Sequence, residues 1–233
     1  SIHGNDIGDE VLIKVAQILL QLKGHHEMVA RISGNEFAWW MDGMAKNTIE
    51  YRLEYLQKEF YKRLRQAGVE KRIEFYISYA HMPTHGNDIE TCYGKAIIGL
   101  QYAKSKNIMT PVVYNSVIEK MTRDEAHLKD CLLEGLNKDE FTLVYQEKVD
   151  SRTNEVIGVE ALARWHSSTI NHISPAIFIP AVEGANLSVR FGNMIIRKAL
   201  DSYSEVAKKY GETINLSINI SPSHMAYKGF NLF

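Results

Sequence analysis

Residues 156–165, Val-Ile-Gly-Val-Glu-Ala-Leu-Ala-Arg-Trp, decide how this chain is read. They alternate with period two, which predicts a β-strand. The face carrying Val156, Gly158 and Leu162 also carries Glu160 and Arg164. A carboxylate and a guanidinium on an otherwise apolar strand face are costly to bury without partners. A metal ion suits the first and a phosphate the second. The alternative is a Glu160–Arg164 salt bridge on a solvated sheet face.

The flanking sequence places this strand in an α/β pattern. Upstream, Phe141, Leu143 and Tyr145 alternate with Thr142, Val144 and Gln146, and a turn at Asp150–Asn154 joins the two runs. Downstream, Ser174-Pro175 predicts a helix with proline at its first position, and a longer helix is expected over 188–210. A third strand follows at 214–220, with Ile214, Leu216, Ile218 and Ile220 facing one way and Asn215, Ser217 and Asn219 the other. After the first hairpin, strand–helix–strand order argues for a parallel sheet.

The first part of the chain reads differently. Val11, Leu12, Val15, Ile18, Leu19 and Leu22 share one helical face, with Gly24 as a stop. Residues 29–41 predict a hairpin around Ser33-Gly34-Asn35. Ile49, Leu53, Leu56, Phe60 and Leu64 mark a second amphipathic helix closed near Gly68. Its polar face of Arg52, Glu54, Lys58, Lys62 and Arg65 reads as solvated. Ile73, Phe75, Ile77 and Tyr79 alternate as a strand, a third helix spans Asp88–Lys104, and Val112–Tyr114 is a short terminal strand. This order predicts an α+β sandwich of helices over an antiparallel sheet. Residues 115–137 are helical and charged, and join the two parts.

Composition narrows the function classes. The 233 residues are 45% apolar and 24% charged with a net charge of -1, an ordinary globular composition of one or two domains. Near-neutral charge gives no support for nucleic-acid binding. Cys92 and Cys131 are too few for a disulfide framework, lack metal-ligand spacing and suit a reducing cytosol. The apolar stretch Val11–Leu22 holds Lys14, Gln17 and Gln21, too short and too polar to span a bilayer.

Glu160-Ala161-Leu162-Ala163-Arg164-Trp165 resembles the signature of EAL domains, the cyclic-di-GMP phosphodiesterases. Phe141-Thr142-Leu143-Val144-Tyr145-Gln146, Ile173-Ser174-Pro175 with Phe178–Glu183, and Ile218-Asn219-Ile220-Ser221-Pro222 are similar to three further stretches of that family, in the same order. Glu147 stands where the family usually has proline. The resemblance implies that Glu160 is a divalent-metal ligand and that Asn219 offers its side-chain carbonyl to the same Mg²⁺ or Mn²⁺. It implies that Arg164 and Leu162 contact the dinucleotide, with Gln146 nearby. Glu183 reads as a structural helix residue, and His166 and His172 as surface histidines.

Arg31-Ile32-Ser33-Gly34-Asn35-Glu36-Phe37 resembles a worn GGDEF signature, the mark of diguanylate cyclases, and His3–Leu12 resembles the segment ahead of that family's first helix. The resemblance makes Asp9 a guanine contact and Lys104 a phosphate contact. Tyr102-Ala103-Lys104 and Asn107 are similar to the family's closing helix and turn. The departures imply a degenerate cyclase site. Asn35 stands where a metal-binding carboxylate is needed, and a neutral amide cannot act as a base. Ser33 crowds the turn in place of the first glycine, Gly34 and Glu36 survive, and the strand carrying another carboxylate is absent. The family's upstream Arg-x-x-Asp product-inhibition motif would fall at Gly24 and Glu27 and is absent, which argues against cyclic-di-GMP binding there.

The expected architecture is therefore an α+β nucleotidyl-cyclase-like sandwich lacking its first strand (1–114), a helical linker (115–127) and the first part of a TIM-like α/β EAL barrel (128–233). A full (β/α)₈ barrel takes about 250 residues. The chain reads as an internal piece of a larger protein, with no complete catalytic set and no hydrolysis of its own. The parent is expected to be a cytoplasmic, or membrane-anchored, cyclic-di-GMP phosphodiesterase giving pGpG. Its GGDEF part would be regulatory, open to GTP and to homodimer contact. The alternative is a non-catalytic cyclic-di-GMP receptor or scaffold.

Overall fold

The computed structural model describes residues 2–66, 68, 73–171 and 173–230, with side chains from residue 8 onward. The chain divides into two compact units, Ser1–Thr122 and Arg123–Phe233. Among the described residues no helix is long and apolar enough to cross a membrane.

The first unit opens with α1 (Ile2–Leu22), then the hairpin β1 (Met28–Ser33) and β2 (Glu36–Trp40), and α2 (Lys46–Gln66). It continues through β3 (Ser78–Tyr79), α3 (Ile89–Ser105) and β4 (Val112–Val113). This is the expected α+β order, but the expected antiparallel sheet is replaced by two separate pairs. β1 and β2 run antiparallel as a hairpin, whereas β3 and β4, joined through helix α3, run parallel. Helix α1 starts at Ile2, ahead of Asp9, so the segment expected to lead into the helix is part of it; an earlier start pairs the N–H groups of that turn with carbonyls inside the helix. The five apolar residues expected on α2 are the five it buries. They pack against Val15, Ile18 and Leu19 of α1 and against Ile77 and Tyr79.

The strand expected over Ile73–Tyr79 is reduced to two residues. Its backbone meets a neighbour only at its end, where Val112 N–H donates to Ile77 O and Tyr114 N–H to Tyr79 O. The alternation survives without the ladder: Ile73, Phe75, Ile77 and Tyr79 all join the core.

Arg52 corrects the expectation of a solvated polar face on α2. Its guanidinium forms a two-pronged ion pair with Glu27, lies over the Trp39 ring at 4.6 Å, and donates to the carbonyl of Leu22. Glu27 is 5% exposed. Its Oε2 also accepts from Gly24 N–H at 2.7 Å and from Trp39 Nε1 at 2.9 Å. The position where the family's inhibitory motif would fall is instead occupied by a structural cluster. It ties the end of α1, the hairpin and α2 together.

Helix α4 (Ser116–Asn137) crosses the division between the units. The second unit contains β5 (Phe141–Val149), β6 (Val156–Trp165), α5 (Pro175–Gly184), α6 (Ser188–Asp201), α7 (Tyr203–Tyr210), β7 (Asn215–Ile218) and α8 (Pro222–Met225). β6 is the central strand, antiparallel to β5 and parallel to β7. This is an open α/β sheet with the predicted connections. The single helix expected over 188–210 breaks at Ser202, whose hydroxyl donates back to the carbonyls of Lys198 and Ala199, a pattern that bends helices. Glu147, at the family's proline position, accepts from Tyr210 OH at 2.6 Å and so ties β5 to α7.

The buried face of β6 is the one opposite to Glu160. Val159, Ala161 and Trp165 are buried, and Ala163 packs beside them. Trp165, Phe141, Phe178 and Phe191 form an aromatic cluster with centroids 5.2–6.1 Å apart. Trp165 Nε1 donates to Glu140 Oε2 at 3.0 Å. Glu160, Leu162 and Arg164 line the opposite, half-exposed face, so the two charges are not sunk in the core.

The Arg52 guanidinium, with Gly24 N–H and the Trp39 indole behind it, lowers the Glu27 carboxyl from 4.5 to about 2. A depressed carboxylate stabilises the fold above its unfolded pKa and loses that effect as pH falls through the folded one. Glu27→Gln should cost about 3 kcal/mol at neutral pH and flatten the loss of stability between pH 4.5 and 2, read by urea unfolding. An unchanged acid limb would refute the assignment.

Candidate functional site

The open face of the second sheet collects side chains from all three strands. Gln146 pairs in register with Glu160, and Glu160 with Ser217. Val144 lies opposite Leu162 and Thr142 opposite Arg164. Strand periodicity then puts Thr142, Val144, Gln146 and Lys148, Glu160, Leu162 and Arg164, and Asn215, Ser217 and Asn219 on one surface. β7 ends at Ile218, so Asn219 stands just beyond the strand, and Ile220, expected to continue the Ile214–Ile218 face, lies outside it and is 36% exposed.

Glu160 and Asn219 meet across this surface. Asn219 Nδ2 donates to Glu160 Oε1 at 2.7 Å. The other carboxylate oxygen lies 3.6 Å from Lys148 Nζ, which donates to Ser217 Oγ at 2.9 Å. The Glu160–Arg164 salt bridge is not the arrangement found: Glu160 pairs with Lys148, and Arg164 Nη1 donates to the carbonyl of Ala163 at 2.9 Å. Gln146 and Leu162 flank the pair.

The donor chemistry fits a hard cation. Glu160 offers a carboxylate, and reversing the Asn219 amide would present its carbonyl oxygen to the same point; Mg²⁺ and Mn²⁺ favour oxygen ligands and accept one or two from protein while keeping waters. Among the described residues no group of three or more His, Cys, Asp and Glu could hold a metal. His166 hydrogen-bonds Thr142 Oγ1 at 3.0 Å, and His172 lies outside the described residues.

The chain just after Asn219 makes a contact that sequence reasoning missed. Ser221 caps α8 and His224 lies three residues on. The His224 ring is 1% exposed, with Nε2 2.8 Å from Asn193 Oδ1 on α6 and its ring edge-on to Phe230 at 5.1 Å. A Cβ on Gly192 would sit 2.2 Å from His224 Nδ1, so only glycine lets α6 and α8 close. No local pattern announces this contact, because His224 sits on a helix of only four residues.

In the first unit, the Ser33-Gly34-Asn35 turn closes the hairpin, with Gly34 at φ +39° and its carbonyl accepting from Arg31 Nε at 2.9 Å. Ser33 and Asn35 are exposed. Glu36 is paired with Lys104 at 2.8 Å, and the ammonium draws its carboxyl below the usual range. Asp9 lies on α1 beside a shallow cleft of about 470 Å³ lined by Leu12, Ile13, Arg31 and Phe37. Glu36 and Lys104 are thus brought together, whereas Asp9 is lined up with the apolar cleft.

The family model of the EAL domain matches residues 129–232, and that of the diguanylate cyclase, GGDEF domain, residues 1–109. The cyclic di-GMP phosphodiesterase PdeR of Escherichia coli is 31% identical over 235 residues, covering 96% of this chain and 34% of PdeR. The bifunctional diguanylate cyclase/cyclic di-GMP phosphodiesterase MucR of Pseudomonas aeruginosa is 25% identical over 227 residues, covering 97% and 33%. The structure of the PaMucR phosphodiesterase in its c-di-GMP complex aligns with 28% identity and a TM-score of 0.42 over 45% of this chain and 42% of that one. The chain spans about a third of the length of the curated relatives it matches.

Gly192→Ala tests the packing of α6 against α8. In an ordinary helix interior the exchange stabilises by about 0.5–1 kcal/mol. Here the buried His224 ring is in the way, and overpacking costs about 1–3 kcal/mol, so net destabilisation of the second unit is expected in urea unfolding. A gain in stability would contradict this packing.

Proposed function

The chain belongs to the tandem GGDEF–EAL family, and from that premise we propose that its parent protein acts in cyclic-di-GMP signalling, hydrolysing the dinucleotide to pGpG through its EAL part. The working domains are 1–114, a 115–127 connection and 128–233, and the site of action is the cytoplasm. The observation that carries the reading is the meeting of Glu160 and Asn219 at 2.7 Å from positions 59 residues apart. Asn219 lies just past the C-terminal end of β7, where barrels of this class build active sites, and Glu160 lies midway along the neighbouring β6.

In this reading Glu160 and Asn219 hold a divalent cation. When bound, that cation supplies Lewis acidity and a water that ionises near neutral pH. Arg164 holds a phosphate through its planar guanidinium. Leu162 offers apolar contact to a base, and Gln146, opposite Glu160 in register, lies beside the phosphodiester. The remaining ligands and the proton-transfer group belong to further strands of the parent.

The first unit is regulatory in this proposal, through nucleotide sensing or contact with a second copy. Asn35 cannot serve as a base, and Glu36 is engaged by Lys104. Both observations support loss of cyclisation.

The full-length parent should convert cyclic-di-GMP to pGpG with Mg²⁺ or Mn²⁺, and Glu160→Gln should take turnover below detection while the protein still folds. It should form no cyclic-di-GMP from GTP and Mg²⁺. Binding of cyclic-di-GMP without turnover would select the receptor alternative. Cyclic-di-GMP produced from GTP would refute the regulatory assignment.

A further inference from the structure

Lys148 was not singled out by the sequence, yet it is the nearest cation to Glu160. It stands two residues after Gln146 on β5, on the same open face. Its ammonium is anchored at 2.9 Å on Ser217 Oγ and lies 3.6 Å from Glu160 Oε2. Asn219 Nδ2 takes the other oxygen. Both carboxylate oxygens of Glu160 therefore face nitrogen donors, one of them charged.

We infer that Lys148 is the resident counter-ion of Glu160 and sets how weakly this surface takes up a divalent cation; the inference rests on the assignment of Glu160 and Asn219 as cation ligands. A divalent cation approaching Glu160 meets the repulsion of the ammonium and competes with it for the carboxylate. At about one-third exposure the carboxylate is only partly screened by water, so a charge this near remains effective. The amide of Asn219 reverses to offer its oxygen, whereas the ammonium has no accepting atom to offer. Uptake of the cation is thus an exchange against a tethered monovalent charge. The tether is Ser217, which keeps Lys148 at the carboxylate instead of in solvent.

The test is Mn²⁺ titration of the 233-residue chain, read as paramagnetic broadening of the amide signals of Glu160 and Asn219. Lys148→Met should shift the broadening midpoint to about tenfold lower Mn²⁺. Lys148→Arg, which keeps the charge, should stay within about twofold of the wild type. Glu160→Gln should remove the localised broadening. Equal midpoints for Lys148→Met and wild type, or a higher one for Lys148→Met, would overturn the counter-ion role and leave the ligand assignment standing. Absence of localised broadening in wild type and Lys148→Met alike would overturn both. A dispersed amide spectrum for each variant verifies folding.

Discussion

Everything in the second unit follows from the two faces of β6. The strand is hydrogen-bonded on both sides, to β5 and to β7, so its register fixes three strands at once. Val159, Ala161 and Trp165 are buried on one face. That burial forces Glu160, Leu162 and Arg164 to the other. Because the side-chain period is two, a slip of one residue would carry the charged set into the aromatic cluster and expose its apolar partners. The hydrophobic side thus specifies the position of the polar side, and the helices α5 and α6 act on the site without touching it.

The first unit depends on a different kind of constraint. Its hairpin and its second strand pair form separate two-stranded sheets. Such small sheets are marginal without packing behind them. The core between α1 and α2 supplies that packing, and the Glu27–Arg52–Trp39 cluster fixes how the hairpin meets it. A buried ion pair of this sort often adds no more stability than well-packed apolar replacements, but removing one partner leaves an orphan charge and is costly. Its value here lies in joining three elements through one carboxylate.

Periodicity alone made most of the architecture legible. The α2 core positions, the Asp88 helix start, the Ser174-Pro175 helix and the alternation of β5 to β7 are all patterns whose period matches the element. What failed were features that depend on partners distant in sequence. Ile73–Tyr79 alternates as a strand should, but ladder length depends on a neighbour, and only Val112 and Val113 provide one. Arg52 sits on the polar side of a helical wheel, yet Glu27 and Trp39 arrive from elsewhere to bury it. Within the site, the meeting of Glu160 with Asn219 was expected only through family resemblance. Lys148 and the His224–Gly192 contact escaped, because a lysine on an edge strand and a histidine on a four-residue helix carry no local signal of their neighbours.

The alternation along β6 has a genetic reading. Substitutions at 159, 161, 163 and 165 strike the packed side, and their damage would appear as missing protein. Substitutions at 160, 162 and 164 strike the open side, where the fold has little at stake, and under the proposed function would leave normal amounts of a silent product. Along one ten-residue strand, abundance and activity are thus written in alternate letters.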